Sequence, residues 1–137
     1  MTGFEIMEHT ADVGIRATGD TLAEAFANAA RGMFSVITDL DTVQRRESRQ
    51  VEVTSPDVET LLVDWLNELV YLFDVESILF ADFAVEIQGE WHLTATCTGE
   101  RVDRQRHTIK TGVKAATYHA LEVRQGTPCH IQVILDI

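Results

Sequence analysis

The chain has 137 residues, 45% of them apolar, which suits a single domain over residues 1–137 and excludes an intrinsically disordered protein. Its two cysteines are too few for a disulfide framework or a four-cysteine zinc site. It has neither a secretory signal nor an apolar run near the roughly 20 residues of a membrane span. We therefore expect a cytoplasmic protein without membrane contact. The formal net charge of −11 opposes direct binding to the phosphates of a nucleic acid.

Two short strands are predicted near the N-terminus, joined by a polar connection. Residues 4–7 predict the first strand. Residues 13–18 alternate between apolar and polar side chains, as half-buried strands do. The connection contains His9 and Asp12, and one role open to Asp12 is to cap a turn.

Two helices are predicted from their capping signals and apolar stripes. Thr21 and Glu24 form a capping box, and apolar residues then recur at helical spacing over residues 22–37. Ser55 is the expected N-cap of the second helix, with Pro56 in its first turn.

Strand-like segments fill the rest of the chain. Residues 43–54, between the helices, predict an exposed strand or strand pair, and four further strands follow at residues 78–87, 90–98, 113–123 and 130–137. Strands and helices therefore do not alternate as they do in parallel α/β proteins. We predict an α+β fold in which two helices pack on one side of a mostly antiparallel β-sheet.

Motifs of several common enzyme classes are absent from the sequence. The chain has no glycine-rich nucleotide-binding loop, no nucleophile elbow of the serine hydrolases and no zinc-protease helix motif. Cys97 and Cys129 lie in strand-like segments and are interpreted as small buried hydrophobic residues. His92, His107 and His130 have no metal-ligand spacing and are interpreted as surface or structural residues.

Three carboxylates are candidates for a metal site. The side chain of Asp136 and the terminal carboxylate of Ile137 lie within a few ångströms of each other by covalent geometry. If Asp12 comes near them, three anions converge, and a hard cation such as Ca²⁺ or Mg²⁺ would relieve their repulsion because it prefers carboxylate oxygens. The residues alone leave open whether Asp12 joins this group or only caps a turn.

The acidic residues are concentrated in the middle of the chain. Residues 51–100 contain eleven Asp and Glu and no Lys or Arg, whereas acids and bases balance in the remainder. Such a field attracts cations and basic partners. The alternative is that these acids only keep a small domain in solution.

Four segments resemble the archease family, namely residues 4–12, 22–30, 113–119 and 135–137. They follow the family's order and span the whole chain, which has the length of an archease. The two most specific are His-Thr-Ala-Asp, which ends at Asp12, and Lys-Ala-Ala-Thr-Tyr-His, which begins at Lys114.

The resemblance implies a protein factor and not an enzyme. Archeases assist the RNA-splicing ligase that joins exon halves bearing a 3′-phosphate or a 2′,3′-cyclic phosphate. They promote guanylylation of the ligase's active-site histidine and restore multiple turnover. Some have also been linked to chaperoning a tRNA cytosine methyltransferase.

The resemblance also implies roles for individual residues. The family's metal ligands match Asp12, Asp136 and Ile137, the last through its terminal carboxylate; the expected cation is Ca²⁺, with Mg²⁺ or Mn²⁺ as alternatives. The lysine important for ligase activation matches Lys114. Without the resemblance, Lys114 would be interpreted as an ordinary strand lysine on the solvent face.

His9 and His119 belong to the two specific segments and are interpreted as supporting residues. Two other functions stay open. One is a chaperone or adaptor for an RNA-modifying enzyme such as a tRNA methyltransferase. The other is a small hydrolase that uses Asp12, Asp136 and His9 with a metal, although the chain offers no nucleophile with an adjacent base.

Overall fold

The computed structural model describes residues 3–8 and 12–137. Its strands and helices follow one another in the predicted order. The described elements are β1 (Gly3–Glu8), β2 (Asp12–Gly19), α1 (Leu22–Ile37), a 3₁₀ turn (Leu40–Thr42), β3 (Glu47–Thr54), α2 (Val58–Glu76), β4 (Ile78–Gln88), β5 (His92–Arg101), β6 (Ala115–Arg124) and β7 (Cys129–Asp136). All neighbouring strands pair antiparallel. The predicted α+β class is therefore confirmed.

Helix α1 has the predicted start, and α2 does not. The hydroxyl of Thr21 accepts a hydrogen bond from the main-chain N–H of Glu24, 3.1 Å away, which caps α1 as the capping box predicts. The prediction of Ser55 as the N-cap of α2 is wrong. Asp57 caps this helix and accepts from the N–H of Thr60 at 2.7 Å, while the hydroxyl of Ser55 donates to Asp64.

The strands form two sheets, whereas one sheet was predicted. The first sheet has the order β1-β2-β7-β6 and the second has the order β3-β5-β4. The division depends on pairings between distant segments, such as β2 with β7, which local periodicity does not encode. In the second sheet, Gly99 allows a close approach, since a Cβ there would lie 1.8 Å from the carbonyl oxygen of Leu79.

The core lies where the helices pack on the strands. Helix α1 packs on β2 of the first sheet and on β4 of the second, and α2 packs mainly on β6. The indole N–H of the fully buried Trp65 donates to the carbonyl of Phe26 at 3.1 Å, which ties α2 to α1. The rings of Phe34 and Phe80 meet edge to face with centroids 5.7 Å apart. Neither helix is long and apolar enough to cross a membrane.

Several strand boundaries differ from the prediction by two or more residues. Strand β5 spans His92–Arg101 and not residues 90–98. Between the helices there is one strand, which begins at Glu47 and not at residue 43, because the 3₁₀ turn Leu40–Thr42 comes first. Strand β6 begins at Ala115 and not at residue 113, so Val113 and Lys114 precede it.

Both cysteines are buried, as predicted. Cys97 is fully buried in β5, and burial raises the pKa of its thiol to about 12. Cys129 is buried at the start of β7 and its thiol donates to the carbonyl of Gly126. Both thiols are therefore packing groups.

Candidate functional site

Asp12 and Asp136 lie directly opposite each other at one end of the β2–β7 strand pair. Directly opposed residues in an antiparallel pair project from the same face of the sheet, with Cβ atoms about 4.5–5.5 Å apart. Asp12 is half-buried and Asp136 is exposed. The residues alone left open whether Asp12 lies near Asp136, and this register places the two residues opposite each other.

Strand β6 brings Lys114 to the same place from the other side of β7. Ala115 pairs with Asp136, and the main-chain N–H of Lys114 donates to the carbonyl oxygen of Asp136 at 2.8 Å. Val113 is buried, whereas the side chain of Lys114 is exposed to solvent. Within the described part of the chain its ammonium group makes no hydrogen bond or ion pair, so it is available to a partner.

Ile137 follows Asp136 directly. Its side chain is half-buried and packs against the core, which anchors the main chain next to the two aspartates. In residues 3–8 and 12–137, no three side chains of His, Cys, Asp or Glu form a metal-binding group. The predicted set contains two such side chains and one main-chain carboxylate. Its donors are all carboxylate oxygens, which suit Ca²⁺, Mg²⁺ or Mn²⁺ and not soft metals.

Of the two histidines predicted as supporting residues, the structure describes one. His9 lies outside the described residues. His119 is exposed in β6, within a stretch where the β6–β7 register shifts between Thr117 and Glu122. Ala120 has a φ of 51° there, so His119 stands on an irregular part of the strand.

Asn67, in the middle of α2, also contacts this region, and it was not among the residues predicted from sequence. Its side-chain amide bonds to both main-chain polar groups of Ala116, two residues after Lys114. The sequence offered no clear signal, because Asn67 is followed by Glu68 and reads as one more polar position of an amphipathic helix.

The loop that leads to Lys114 is anchored by a buried carboxylate. Glu100 is 3% exposed and accepts from the N–H of Gln44 at 2.7 Å, from the guanidinium of Arg106 and from the imidazole of His107. Burial by itself raises the pKa of Glu100, but these hydrogen bonds, with Arg106 first, outweigh it and lower the pKa to about 2. His107 is therefore structural, in agreement with its interpretation from the sequence.

A cavity of about 550 Å³ lies further along the first sheet. Its lining combines apolar residues such as Phe4 and Ile131 with the charged or polar Arg16, Arg124 and His130. Arg16 is four residues along β2 from Asp12, which is about 13 Å at the rise of a strand. The cavity and the Asp12–Asp136 pair are therefore separate places on the molecule.

Comparison with known proteins agrees with this architecture. The model of the Archease protein family (MTH1598/TM1083) matches residues 4–137. The archease of Methanosarcina acetivorans is 45% identical over 98% of this chain and 95% of its own length. The archease of Methanothermobacter thermautotrophicus is 45% identical over 100% of both chains.

Two solved structures are also similar. The solution structure of Methanobacterium thermoautotrophicum protein 1598 matches with a TM-score of 0.87 and 43% identity over 100% of both chains. The crystal structure of a Thermotoga maritima archease, described as a possible chaperone, matches with a TM-score of 0.67 over 96% of this chain and 94% of that one; at 21% identity it shows the fold alone. On the family model and the sequence identities, this chain belongs to the archease family.

Proposed function

We propose that this protein is a non-enzymatic activating factor of an RNA ligase that joins ends bearing a 3′-phosphate or a 2′,3′-cyclic phosphate. In this role it promotes guanylylation and multiple turnover of the ligase during tRNA splicing or RNA repair. The observation that carries the proposal is the junction at one end of β7. There Asp136 is paired with Asp12 on one side and hydrogen-bonded to Lys114 on the other.

The carboxylates of this junction are proposed to hold one divalent cation. Asp12 and Asp136 supply side-chain oxygens from the same face of the sheet, and Ile137 supplies its terminal carboxylate. Ca²⁺ is the expected ion, with Mg²⁺ or Mn²⁺ as alternatives. When bound, the cation would offset the mutual repulsion of the three anions.

Lys114 is proposed to make the contact on which activation depends. Its ammonium group is exposed, and its main chain is fixed by the hydrogen bond to Asp136. A compact ammonium can bind a phosphate of GTP or a carboxylate of the ligase as a point charge. We therefore assign Lys114 a contact that forms only in the complex.

The charge of the chain supports this choice of partner. An RNA ligase has a basic surface around its active site because it binds RNA. A protein with a net charge of −11 is attracted to such a surface over distances of about a Debye length, roughly 8–10 Å. This attraction raises the rate of association more than the final affinity.

A ligation assay in which RNA and ligase are both in molar excess over this protein tests the proposal. We expect the number of joined molecules per ligase to rise well above one only when the protein is present. The isolated protein is expected to join or cleave no RNA. An unchanged yield per ligase with a folded protein would contradict the proposal.

The alternative function is a chaperone or adaptor for an RNA-modifying enzyme such as a tRNA methyltransferase. The Thermotoga maritima archease, which shares this fold, is described as a possible chaperone, and that description raises the alternative. A chaperone or adaptor would act in proportion to its amount and would leave ligase turnover unchanged. Titrating the protein against a fixed amount of each enzyme distinguishes the two functions.

A further inference from the structure

Asn67 makes a two-point contact with strand β6. Its Nδ2 donates to the carbonyl oxygen of Ala116 at 3.3 Å, and its Oδ1 accepts from the N–H of Ala116 at 2.7 Å. A side-chain amide presents a donor and an acceptor side by side, as the main chain of a neighbouring strand does. Among the described residues, no other side chain of α1 or α2 bonds to the main chain of β6.

The contact lies where β6 is weakly held. The regular pairing of β6 with β7 next to Lys114 covers only Ala115, Ala116 and Thr117, after which the register shifts until Glu122. Strand β6 is also the edge of its sheet, so no further strand bonds to its other side. Short ladders at a sheet edge open easily, and a bond from a helix to this edge opposes the opening.

The same three residues determine where Lys114 stands. Lys114 immediately precedes them, and its N–H donates to the carbonyl oxygen of Asp136. If Ala116 moves away from α2, the main chain at Lys114 moves with it, because the two residues are only two positions apart. The hydrogen bond between Lys114 and Asp136 then lengthens or breaks.

We propose that Asn67 is a positioning residue whose side-chain amide clamps Ala116 and thereby holds Lys114 against Asp136. The structural part of this inference stands on the hydrogen bonds alone. Its consequence for ligase activation depends on the function proposed above. Asn67 does not contact the partner; it acts through the main chain of β6.

The variant Asn67→Ala tests the clamp by amide hydrogen exchange. Loss of two hydrogen bonds is expected to speed exchange at the amides of Ala116 and Lys114 by about ten-fold. Asn67→Asp keeps an acceptor for the N–H of Ala116 but sets a second acceptor against its carbonyl. We expect exchange at Lys114 to rise in Asn67→Asp as well, and less than in Asn67→Ala.

The matched control is Asn28→Ala. Asn28 also joins a helix to a strand, because its Nδ2 donates to the carbonyl oxygen of Thr18 at 2.8 Å, but Thr18 lies toward the other end of β2 from Asp12. This variant should lose a similar amount of thermal stability. It should leave exchange at Lys114 and ligase activation unchanged.

Multiple-turnover ligation then measures the functional consequence, and we expect about ten-fold weaker activation by Asn67→Ala than by Asn28→Ala. Unchanged exchange at Lys114 in Asn67→Ala would overturn the clamp. Faster exchange with undiminished activation would overturn its role in activation. If the wild-type protein fails to activate the ligase, the proposed function fails, and the exchange rates still decide the clamp.

Discussion

His107 and Glu100 form a buried pair in which the imidazole Nε2 lies 3.0 Å from a carboxylate oxygen. The other ring nitrogen, Nδ1, accepts a hydrogen bond from the main-chain N–H of Asp103 at 2.9 Å. Because Nδ1 is an acceptor, the proton of the neutral ring must be on Nε2. The pair thus connects β5 with the loop that leads to Lys114.

The first prediction concerns this ring. His107 should carry its ring proton on Nε2 and none on Nδ1, since a proton on Nδ1 would face the N–H of Asp103. Nitrogen NMR of the histidine side chains measures the tautomer directly. A protonated Nδ1 at His107 would contradict the hydrogen-bond pattern. The exposed His119 provides the comparison within the same spectrum.

The second prediction follows from the low pKa of Glu100. Its pKa is about 2 in the folded protein, well below the ordinary value of 4.5 for a glutamate, so folding favours the ionised form. The stabilisation is fully present above about pH 4.5 and is lost as pH falls toward 2. The shift corresponds to about 3 kcal/mol at most.

The comparison of wild type with Glu100→Gln isolates this effect. We expect the variant to have a lower free energy of unfolding at pH 7, and the difference from wild type to shrink between pH 4.5 and 2. Urea unfolding at several pH values measures this difference in the free energy of unfolding. Glu86→Gln, a change at an exposed position of β4, should show a constant difference near zero. If the difference in free energy of unfolding between wild type and Glu100→Gln does not depend on pH, the prediction is wrong.

The elements that could be predicted from sequence are those fixed by local signals. The cap at Thr21 and the apolar spacing predict α1 from Leu22 to Ile37, because both depend on residues within a few turns. For α2, the sequence contains two possible N-cap residues within three positions, Ser55 and Asp57. Asp57 prevails over Ser55 because its carboxylate reaches the N–H of Thr60, while Ser55 bonds to Asp64.

The elements that could not be predicted depend on distant partners. The division into two sheets follows from which strands pair, and β2 pairs with a strand more than a hundred residues away. The same register places Asp12 opposite Asp136. The residues alone left open whether these two carboxylates lie close together. Asn67 gave no clear signal, because a polar residue in an amphipathic helix usually faces solvent.

The third prediction concerns the metal. Asp12→Asn and Asp136→Asn should each weaken Ca²⁺ binding at least about ten-fold, because each removes a charged oxygen ligand. Adding one glycine after Ile137 moves the terminal carboxylate by about 3.8 Å and should weaken binding as much. Titration calorimetry with Ca²⁺, Mg²⁺ and Mn²⁺ gives the affinities.

Asp74→Asn is the control for net charge, since Asp74 is exposed near the end of α2. It lowers the negative charge by one and should leave Ca²⁺ affinity nearly unchanged. If Asp12→Asn and the extended protein bind Ca²⁺ as tightly as wild type, these carboxylates are not the ligands.

The fourth prediction separates activation from folding at Lys114. Its side chain is exposed, so Lys114→Ala should change the free energy of unfolding by no more than about 0.5 kcal/mol. Activation should fall roughly ten- to hundred-fold, because a charge-assisted contact made only in the complex contributes about 1.5–3 kcal/mol. Lys114→Arg should activate the ligase more than Lys114→Ala and less than wild type, since a planar guanidinium does not replace a compact ammonium.

Lys110 provides the matched control, because it is the other lysine of the chain and lies four residues earlier in the same segment. It is also exposed, and its main-chain N–H donates to a neighbouring element, at the carbonyl oxygen of Ile37. Lys110→Ala removes the same charge and the same methylene groups, so a general loss of electrostatic attraction would weaken activation equally in both variants. We expect Lys110→Ala to activate the ligase nearly as well as wild type in multiple-turnover assays. Equal activation by Lys114→Ala and Lys110→Ala would remove Lys114 from the site, and early thermal unfolding of Lys114→Ala alone would assign it a structural role.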